Sequence, residues 1–419
     1  MDRTKIQKQN SYKLILVSLV ISAVASFLAY TLKIITEFFE EHIFEFAKSM
    51  DLLPLFILPS IGITAIYFLR KYLFLNRKNK GIAEIYKTVD KRKDHLPFFK
   101  IPSHYLNGFL TVIFGGSTGI EVSTVVATAT IGNAFYDKHY AAKMYKLELI
   151  CAGVCAGIAI LFNSPIAGWL FAIEVIARKL NRSLFISCTA SAIGAWIILS
   201  IFPTGHIIST PVKDWSWMAI PFMLILSIFS GLLSAYFTLL VVNIKKLFNK
   251  ISNNFIRVNS GALVVGSLLF IFPFLYGDSY HSLNELFQNP IELSILSLVF
   301  LAVLKPIASA LTLGAGGDGG VFAPSIVAGA YLGLAFSILC NKYLGTTLIP
   351  VNFALIGAAA TLSTSIYAPL TTLFLICNLV PNGFQLAIPI LAVSYIAKIF
   401  TQKFILPYNV YTYFLEKSK

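Results

Sequence analysis

Long apolar runs dominate the pattern of hydrophobic and polar positions along this chain. They fall at roughly 13–36, 52–69, 106–115, 148–177, 184–202, 217–242, 259–275, 291–313, 326–340, 352–380 and 385–400. A helix needs about 20 apolar residues to cross a bilayer, and several of these runs are shorter or are interrupted by Gly or Pro. Backbone groups cannot remain unsatisfied in lipid. The pattern therefore predicts an all-α polytopic membrane protein with many tilted and half-spanning helices.

Composition and charge agree with a membrane protein. The chain is 57% hydrophobic and only 12% charged, which excludes an ordinary soluble domain. The net charge of +14 comes from short basic loops, at residues 70–80, 87–93, 178–182 and 245–257. Loops with this bias face the cytoplasm, so we expect no nucleic-acid partner. The same rule makes residues 1–12 a cytoplasmic N-terminal segment. We expect a multi-pass protein of the plasma (inner) membrane with both termini in the cytoplasm.

Two segments of the chain recur in the same order about 200 residues later. Residues 316–333 match residues 115–132 at an offset of 201, with identical Gly, Val or Ala at seven positions. Pro165 and Pro369 then stand in similar contexts, 204 residues apart. A duplicated half of this length is typical of transport folds. We predict a single transmembrane domain, 13–419, with repeat halves at about 13–212 and 213–412.

A glycine-rich turn precedes one carboxylate at the start of a very apolar segment. Residues 115–121 read Gly-Gly-Ser-Thr-Gly-Ile-Glu and end on Glu121. An ionisable group in lipid is expensive, which makes it a functional-site candidate. The glycines allow a sharp turn, and the helix N-terminus beyond them carries about half a positive charge. These residues fit an anion site beside an acidic group, and equally a glutamate that caps its helix in a solvated loop.

Four segments resemble elements of the CLC family of chloride channels and chloride/proton exchangers. Gly320-Val-Phe322-Ala-Pro324 matches the G-x-F-x-P element in full, and Gly119-Ile-Glu121-Val-Ser123 resembles the G-x-E-G-P element. Gly81-Ile-Ala-Glu84 resembles the end of the G-S-G-I-P-E element, and Leu406-Pro-Tyr408-Asn the segment with the family's anion-contacting tyrosine. The resemblance covers nearly the whole chain. It implies two inverted repeats in each subunit of a homodimer, of the prokaryotic type without a cytosolic regulatory domain.

The resemblance also implies roles for individual residues. Chloride in a membrane must exchange its hydration for donors that still release it, which backbone amides and neutral hydroxyls do better than full charges. The amides of Ile120, Val321 and Phe322 and the hydroxyl of Tyr408 are the expected anion ligands. Glu121 is the expected gate, since its ionised form occupies the anion site and its protonated or displaced form admits chloride.

Three departures from the family pattern bear on these roles. Lys80 stands where the serine of the central chloride site belongs, so its ammonium either binds the anion or snorkels to the cytoplasm. Val122 and Ser123 replace the Gly-Pro after the gating glutamate, and Ser can cap the helix there. Glu174 precedes Val175, where exchangers carry an internal proton-transfer glutamate and channels tend to carry valine. Glu174 is therefore either a structural contact or a candidate proton entry group.

The leading prediction is chloride transport through a pore in each subunit, channel-like or weakly proton-coupled. The alternatives are a proton-coupled chloride exchanger and a non-transporting protein on the same scaffold. Tyr408 has an alternative too, as an interfacial anchor beside Tyr411 and Tyr413. The five Cys and six His lack ligand spacing, and no nucleophile motif appears. We expect no metal, no cofactor apart from chloride as the substrate ion, no enzyme activity, and dimer contacts near 184–202 and 385–400.

Overall fold

The computed structural model describes residues 3–77, 79, 81–90, 94–138, 140–141, 144–212, 214–288 and 293–416, and this part of the chain is helical. The helices are α1 (Arg3–Ser49), α2 (Pro54–Phe68), α3 (Ile82–Asp90), α4 (Lys100–Ile113), α5 (Glu121–Asp137), α6 (Lys146–Leu161), α7 (Pro165–Phe171), α8 (Arg182–Ile201), α9 (Ile220–Phe248), α10 (Asn254–Ile271), α11 (Tyr280–Gln288), α12 (Ile295–Ala315), α13 (Phe322–Leu344), α14 (Pro350–Ile366), α15 (Pro369–Leu379), α16 (Ala387–Phe404) and α17 (Val410–Glu416). Two of them continue as π-helical turns, α2 through Leu69–Leu73 and α7 through Ala172–Ala177. The first helix begins at Arg3, so most of the predicted N-terminal segment extends it.

Eight of the described helical segments are long and apolar enough to cross a membrane. They are Gln9–Ser49, Pro54–Leu73, Arg182–Ile201, Trp217–Phe248, Asn254–Ile271, Ile295–Ala315, Phe322–Leu344 and Gly383–Phe404. Three shorter apolar segments accompany them, at Pro165–Ala177, Pro350–Ile366 and Pro369–Leu379. This mixture of full-length and short apolar helices is what the interrupted runs in the sequence predict.

Two apolar runs that look continuous in the sequence are each broken into two helices. The run 148–177 divides between α6 and α7, where Asn163 has a φ of 51° and the Ser164 hydroxyl accepts a hydrogen bond from the amide of Ala167. The run 352–380 divides between α14 and α15, where Tyr367 has a φ of 57°. Each new helix starts with a proline, which suits a first helical position. The breaks leave short helices whose ends can reach the protein interior.

Glycines let α5 and α6 approach until their backbones touch. A Cβ atom on Gly132 would lie 2.1 Å from the carbonyl oxygen of Leu149. One on Gly153 would lie 2.1 Å from the carbonyl oxygen of Thr128. Real Cβ atoms do not come this close, so the contact requires glycine at both positions.

The pair α13 and α14 repeats this contact 201 to 204 residues later. A Cβ atom on Gly333 would lie 2.0 Å from the carbonyl oxygen of Phe353. One on Gly357 would lie 2.2 Å from the carbonyl oxygen of Gly329. The two glycines and the two carbonyl groups that they meet lie 201 or 204 residues after their counterparts in α5 and α6. These are the offsets seen in the sequence. The duplicated segments therefore share their packing as well as their residues.

The chain divides into two compact units that interleave in sequence. The first contains the described residues of Met1–Ile35, Arg77–Leu106 and Glu121–Gly205, and the second those of Thr36–Asn76, Asn107–Ile120 and His206–Lys419. The predicted boundary between repeat halves near residue 212 stays a prediction. Glu121 begins a segment of the first unit, directly after a turn that belongs to the second.

Candidate anion pathway

The two glycine-rich turns predicted from the sequence pair with each other inside the second unit. Gly119 and Gly320 form an isolated antiparallel bridge. The Thr118 hydroxyl donates a hydrogen bond of 2.7 Å to the carbonyl oxygen of Gly320. A Cβ atom on Gly319 would lie 2.5 Å from the Thr118 side chain, so only glycine fits there. We call residues 115–120 the first filter turn and residues 316–321 the second filter turn.

Hydrogen bonds to α12 and to a carbonyl of the second unit fix the first filter turn. The amide of Ser117 donates to the Thr312 hydroxyl at 3.2 Å, and the Ser117 hydroxyl donates to the carbonyl oxygen of Leu275 at 2.9 Å. That carbonyl also accepts from the ammonium of Lys305, a fully buried lysine of α12. The turn is therefore anchored through both the backbone and the side chain of Ser117.

Glu121 is the first residue of α5 and is only 4% exposed. The helix is buried on all sides from Glu121 to Asn133. A helix that is apolar and buried all round belongs in a protein interior. This burial is inconsistent with a capping glutamate in a solvated loop, and it favours the interpretation of Glu121 as a functional group.

The predicted amide donors lie at the ends of the two filter turns. Ile120 is half-buried immediately before α5, whereas Val321 and Phe322 are almost fully buried at the start of α13. No side chain caps α13 at Val321. The amides of a helix's first turn have no partner within the helix. Each filter turn therefore leads into a helix N-terminus that can serve an anion.

The start of α3 lies against the start of α5 within the first unit. Gly81 has a φ of +62°, and a Cβ atom there would lie 3.5 Å from the Val122 side chain. Lys80 lies outside the described residues. Ser123 is completely buried, and its hydroxyl has no hydrogen-bond partner among the residues that the structure describes. Ser123 therefore does not cap α5 as predicted. It carries a buried hydroxyl two residues after Glu121.

Tyr411, rather than the predicted Tyr408, packs beside Phe322 at the start of α13. Tyr411, in the first turn of α17, is 7% exposed, and its ring centre lies 6.4 Å from that of Phe322. Tyr408 is half-buried and packs on Tyr413, with ring centres 4.9 Å apart. The side chain of Asn409 caps α17 by accepting from the amide of Tyr411 at 3.0 Å. Asparagine is a preferred residue before a helix, so Asn409 is the sequence feature that could have located this helix start.

Glu174 lies half-buried on the π-helical turn that follows α7. The neighbouring Val175 is buried, and its carbonyl oxygen accepts a hydrogen bond of 3.1 Å from the Tyr86 hydroxyl. The guanidinium of Arg178 lies 4.5 Å from the Tyr86 ring centre. Single π-helical turns often occur at functional sites, so Glu174 remains a candidate proton entry group.

Comparison with known proteins decides the family. Residues 61–402 match the model of a family described as voltage-gated chloride channels. The chain belongs to the CLC family. The resemblance drawn from the sequence is thereby confirmed. The CLC family is a family of anion transporters, which agrees with the many apolar helices of this integral, multi-pass chain.

One curated CLC relative is a protein of Ralstonia nicotianae named for its likeness to the chloride channel protein ClcB. It is 28% identical over 248 residues, which cover 58% of this chain and 57% of the relative. The match therefore spans little more than half of that relative's length.

Solved CLC structures share the fold over nearly the full chain. A CLC-type fluoride/proton antiporter superposes with a TM-score of 0.81 at 23% identity, covering 98% of both chains. A slow cyanobacterial Cl⁻/H⁺ antiporter gives 0.80 at 20% identity, covering 97% of this chain and 98% of its own. A eukaryotic CLC transporter superposes with a TM-score of 0.80 at 20% sequence identity, covering 97% of this chain and 74% of its own. The predicted all-α fold of two inverted repeats is confirmed.

Proposed function

We propose that this CLC protein transports chloride or a related small anion through a pathway in each subunit, gated by Glu121. The observation that carries the proposal is the burial of Glu121 at the first residue of α5, directly after a turn that is bridged to the second filter turn. The amides of Ile120, Val321 and Phe322 supply donors without a full charge, so the anion is bound and still released. An ionised Glu121 competes with the anion for these donors.

The tyrosine hydroxyl of the pathway comes from Tyr411 in this proposal, in place of Tyr408. Its support is the burial of Tyr411 beside Phe322, whereas Tyr408 is partly exposed and stacked on Tyr413. Ser123 adds a second neutral hydroxyl near the gate. Neutral hydroxyls suit a conducted anion because they bind it without trapping it.

Two matched variants test the choice of tyrosine. Tyr411→Phe removes one hydroxyl and should weaken anion binding by roughly ten- to a hundredfold, because a hydrogen bond to a charged group contributes about 1.5–3 kcal/mol. Tyr408→Phe should leave binding unchanged. The measurement is bromide or chloride affinity of the purified protein by calorimetry. A loss of affinity in Tyr408→Phe with none in Tyr411→Phe would return the role to Tyr408.

We propose that transport is channel-like or weakly proton-coupled, with proton-coupled exchange as the alternative. Val175 supports the first, because a buried apolar side chain stands where an exchanger needs an internal acid. Two similar structures, those of a fluoride/proton and a chloride/proton antiporter, support the second. Glu174, on the adjacent π-helical turn, is the residue that would supply the protons.

A proton measurement in liposomes separates the two forms. Liposomes containing the purified protein and a chloride gradient are suspended in weakly buffered medium at zero net voltage. We expect chloride to leave without uphill proton movement, or with far less than a fixed proton ratio. Uphill proton movement at a constant ratio to chloride, abolished by Glu174→Gln, would establish the exchanger.

The setting of the pathway is part of the proposal. Each subunit lies in the plasma (inner) membrane with both termini in the cytoplasm, as the basic loops indicate. Two copies associate through α8 and α16. The support is the exposed apolar side chains on each helix, such as Ile193 and Trp196 on α8 and Ile388 and Ile399 on α16.

A further inference from the structure

Three basic side chains interact with the second filter turn or with one another. Arg70 follows α2, Lys245 lies near the end of α9 and Arg257 lies in the first turn of α10. They come from two of the loops predicted to face the cytoplasm, more than 170 residues apart. We call these three residues the basic cluster.

An apolar cluster beneath the basic cluster explains why these helix ends meet. Buried side chains from α2, α9, α10 and α12 pack together there, and they are Ile63, Phe248, Val258, Ala262 and Ala315. A Cβ atom on Gly261 would lie 2.7 Å from Ala315, so α10 and α12 approach closely. The packing fixes the three basic residues and the start of the second filter turn in one place.

Arg70 holds the second filter turn directly. Its Nη1 donates a hydrogen bond of 2.8 Å to the carbonyl oxygen of Gly316, and its Nη2 lies 3.9 Å from the Asp318 carboxylate. The Asp318 amide donates to the Thr111 hydroxyl at 2.9 Å. Asp318 is only 6% exposed and stands three residues before Val321. A charged group is therefore connected to the backbone that leads to the proposed anion donors.

The basic cluster carries more positive charge than its acidic partner neutralises. Asp318 attracts both Arg70 and Lys245, and Arg257 lies close enough to Arg70 to repel it. Two of the three cations thus share the Asp318 carboxylate, and the third repels one of them. In addition, the Nε–H groups of Arg70 and Arg257 are buried, and neither meets an acceptor within the described part of the chain. Buried donors without acceptors and surplus positive charge both call for an anion.

We propose that the basic cluster is an anion-binding site at the inner mouth of the pathway, where a small inorganic anion is collected before it reaches the start of α13. The inference rests on the proposed transport function. All three side chains are partly exposed, so the site is open to the adjoining solution. Asp318 limits the attraction, which keeps the anion mobile, since a conducting site must also release its ion.

Opposite charge changes at the site should give opposite results. Chloride flux from liposomes is measured against chloride concentration at low ionic strength, to obtain the half-saturating concentration. Arg257→Gln and Lys245→Gln should raise that concentration about three- to tenfold, the effect of one charge several ångströms away. Asp318→Asn should lower it by a similar factor. Lys250→Gln, an exposed lysine of the same loop, loses the same charge and should change nothing. Added potassium gluconate should reduce the shifts by screening.

Bromide tests directly whether an anion occupies the basic cluster. Crystals of the wild-type protein in bromide should show anomalous density at the basic cluster, and crystals of Arg257→Gln should lack it. The site is overturned if Arg257→Gln shifts half-saturation no more than Lys250→Gln, or if bromide density is absent there. The bromide result does not depend on flux. A wild-type protein that binds bromide at the basic cluster but transports no anion would contradict the proposed function and still support the binding site.

Discussion

Glu121→Gln should leave anion flux intact and remove most of its pH dependence. In the wild type, flux should rise as pH falls, because protonation releases the buried carboxylate from the anion site. One pH unit changes the protonated fraction by up to about tenfold, and glutamine offers no charge to titrate. The measurement is chloride efflux from liposomes at several pH values between about 5 and 8.

The control for this prediction is Glu41→Gln, an exposed carboxylate of α1 that lies outside the filter turns. It should keep the wild-type pH profile. A Glu121→Gln protein with an unchanged profile would show that another group senses pH, and Glu121 would lose its assignment as the gate.

Lys80→Ser should increase chloride flux by up to about three orders of magnitude while weakening anion affinity. A lysine ammonium about 4 Å from chloride attracts it by on the order of 4 kcal/mol at an effective dielectric near 20. Each 1.4 kcal/mol slows release about tenfold. Serine would restore the neutral hydroxyl of the family element. The measurements are flux in liposomes and bromide affinity of the same preparation.

Arg77→Ser is the matched control for Lys80. It removes a nearby charge whose guanidinium lies 5.0 Å from the Phe99 ring centre, and it should change flux little. If Lys80→Ser also left both flux and affinity unchanged, Lys80 would be a side chain that reaches the cytoplasm without touching the pathway.

Much of the fold could be predicted because local sequence patterns determine it. The glycine-rich turns recur with an offset of 201 and mark two helix starts, and the glycine contacts of Gly132 and Gly333 repeat with the same spacing. Apolar length alone identified most spans. Proline within the runs indicated half-spanning helices, but the exact breaks before Pro165 and Pro369 could not be predicted, because a left-handed residue inside an apolar run leaves no trace in its periodicity.

The candidate site could be predicted less completely, for two physical reasons. Tyr408 lies just before α17 and Tyr411 lies in its first turn, and only the position of α17 shows which ring meets Phe322. The contact between Arg70 and Gly316 joins residues 246 positions apart, so no local motif contains it. In the sequence, Asp318 stands among four glycines and has no visible cation beside it.

Chloride efflux from liposomes that contain only the purified wild-type protein tests the central claim most directly. A chloride electrode records efflux down a gradient, with valinomycin and potassium present so that charge does not limit the rate. The proposal predicts efflux well above that of protein-free liposomes and in proportion to the amount of protein. A correctly folded protein that releases no chloride, and no fluoride or bromide either, would contradict it and leave a non-transporting protein on a CLC scaffold.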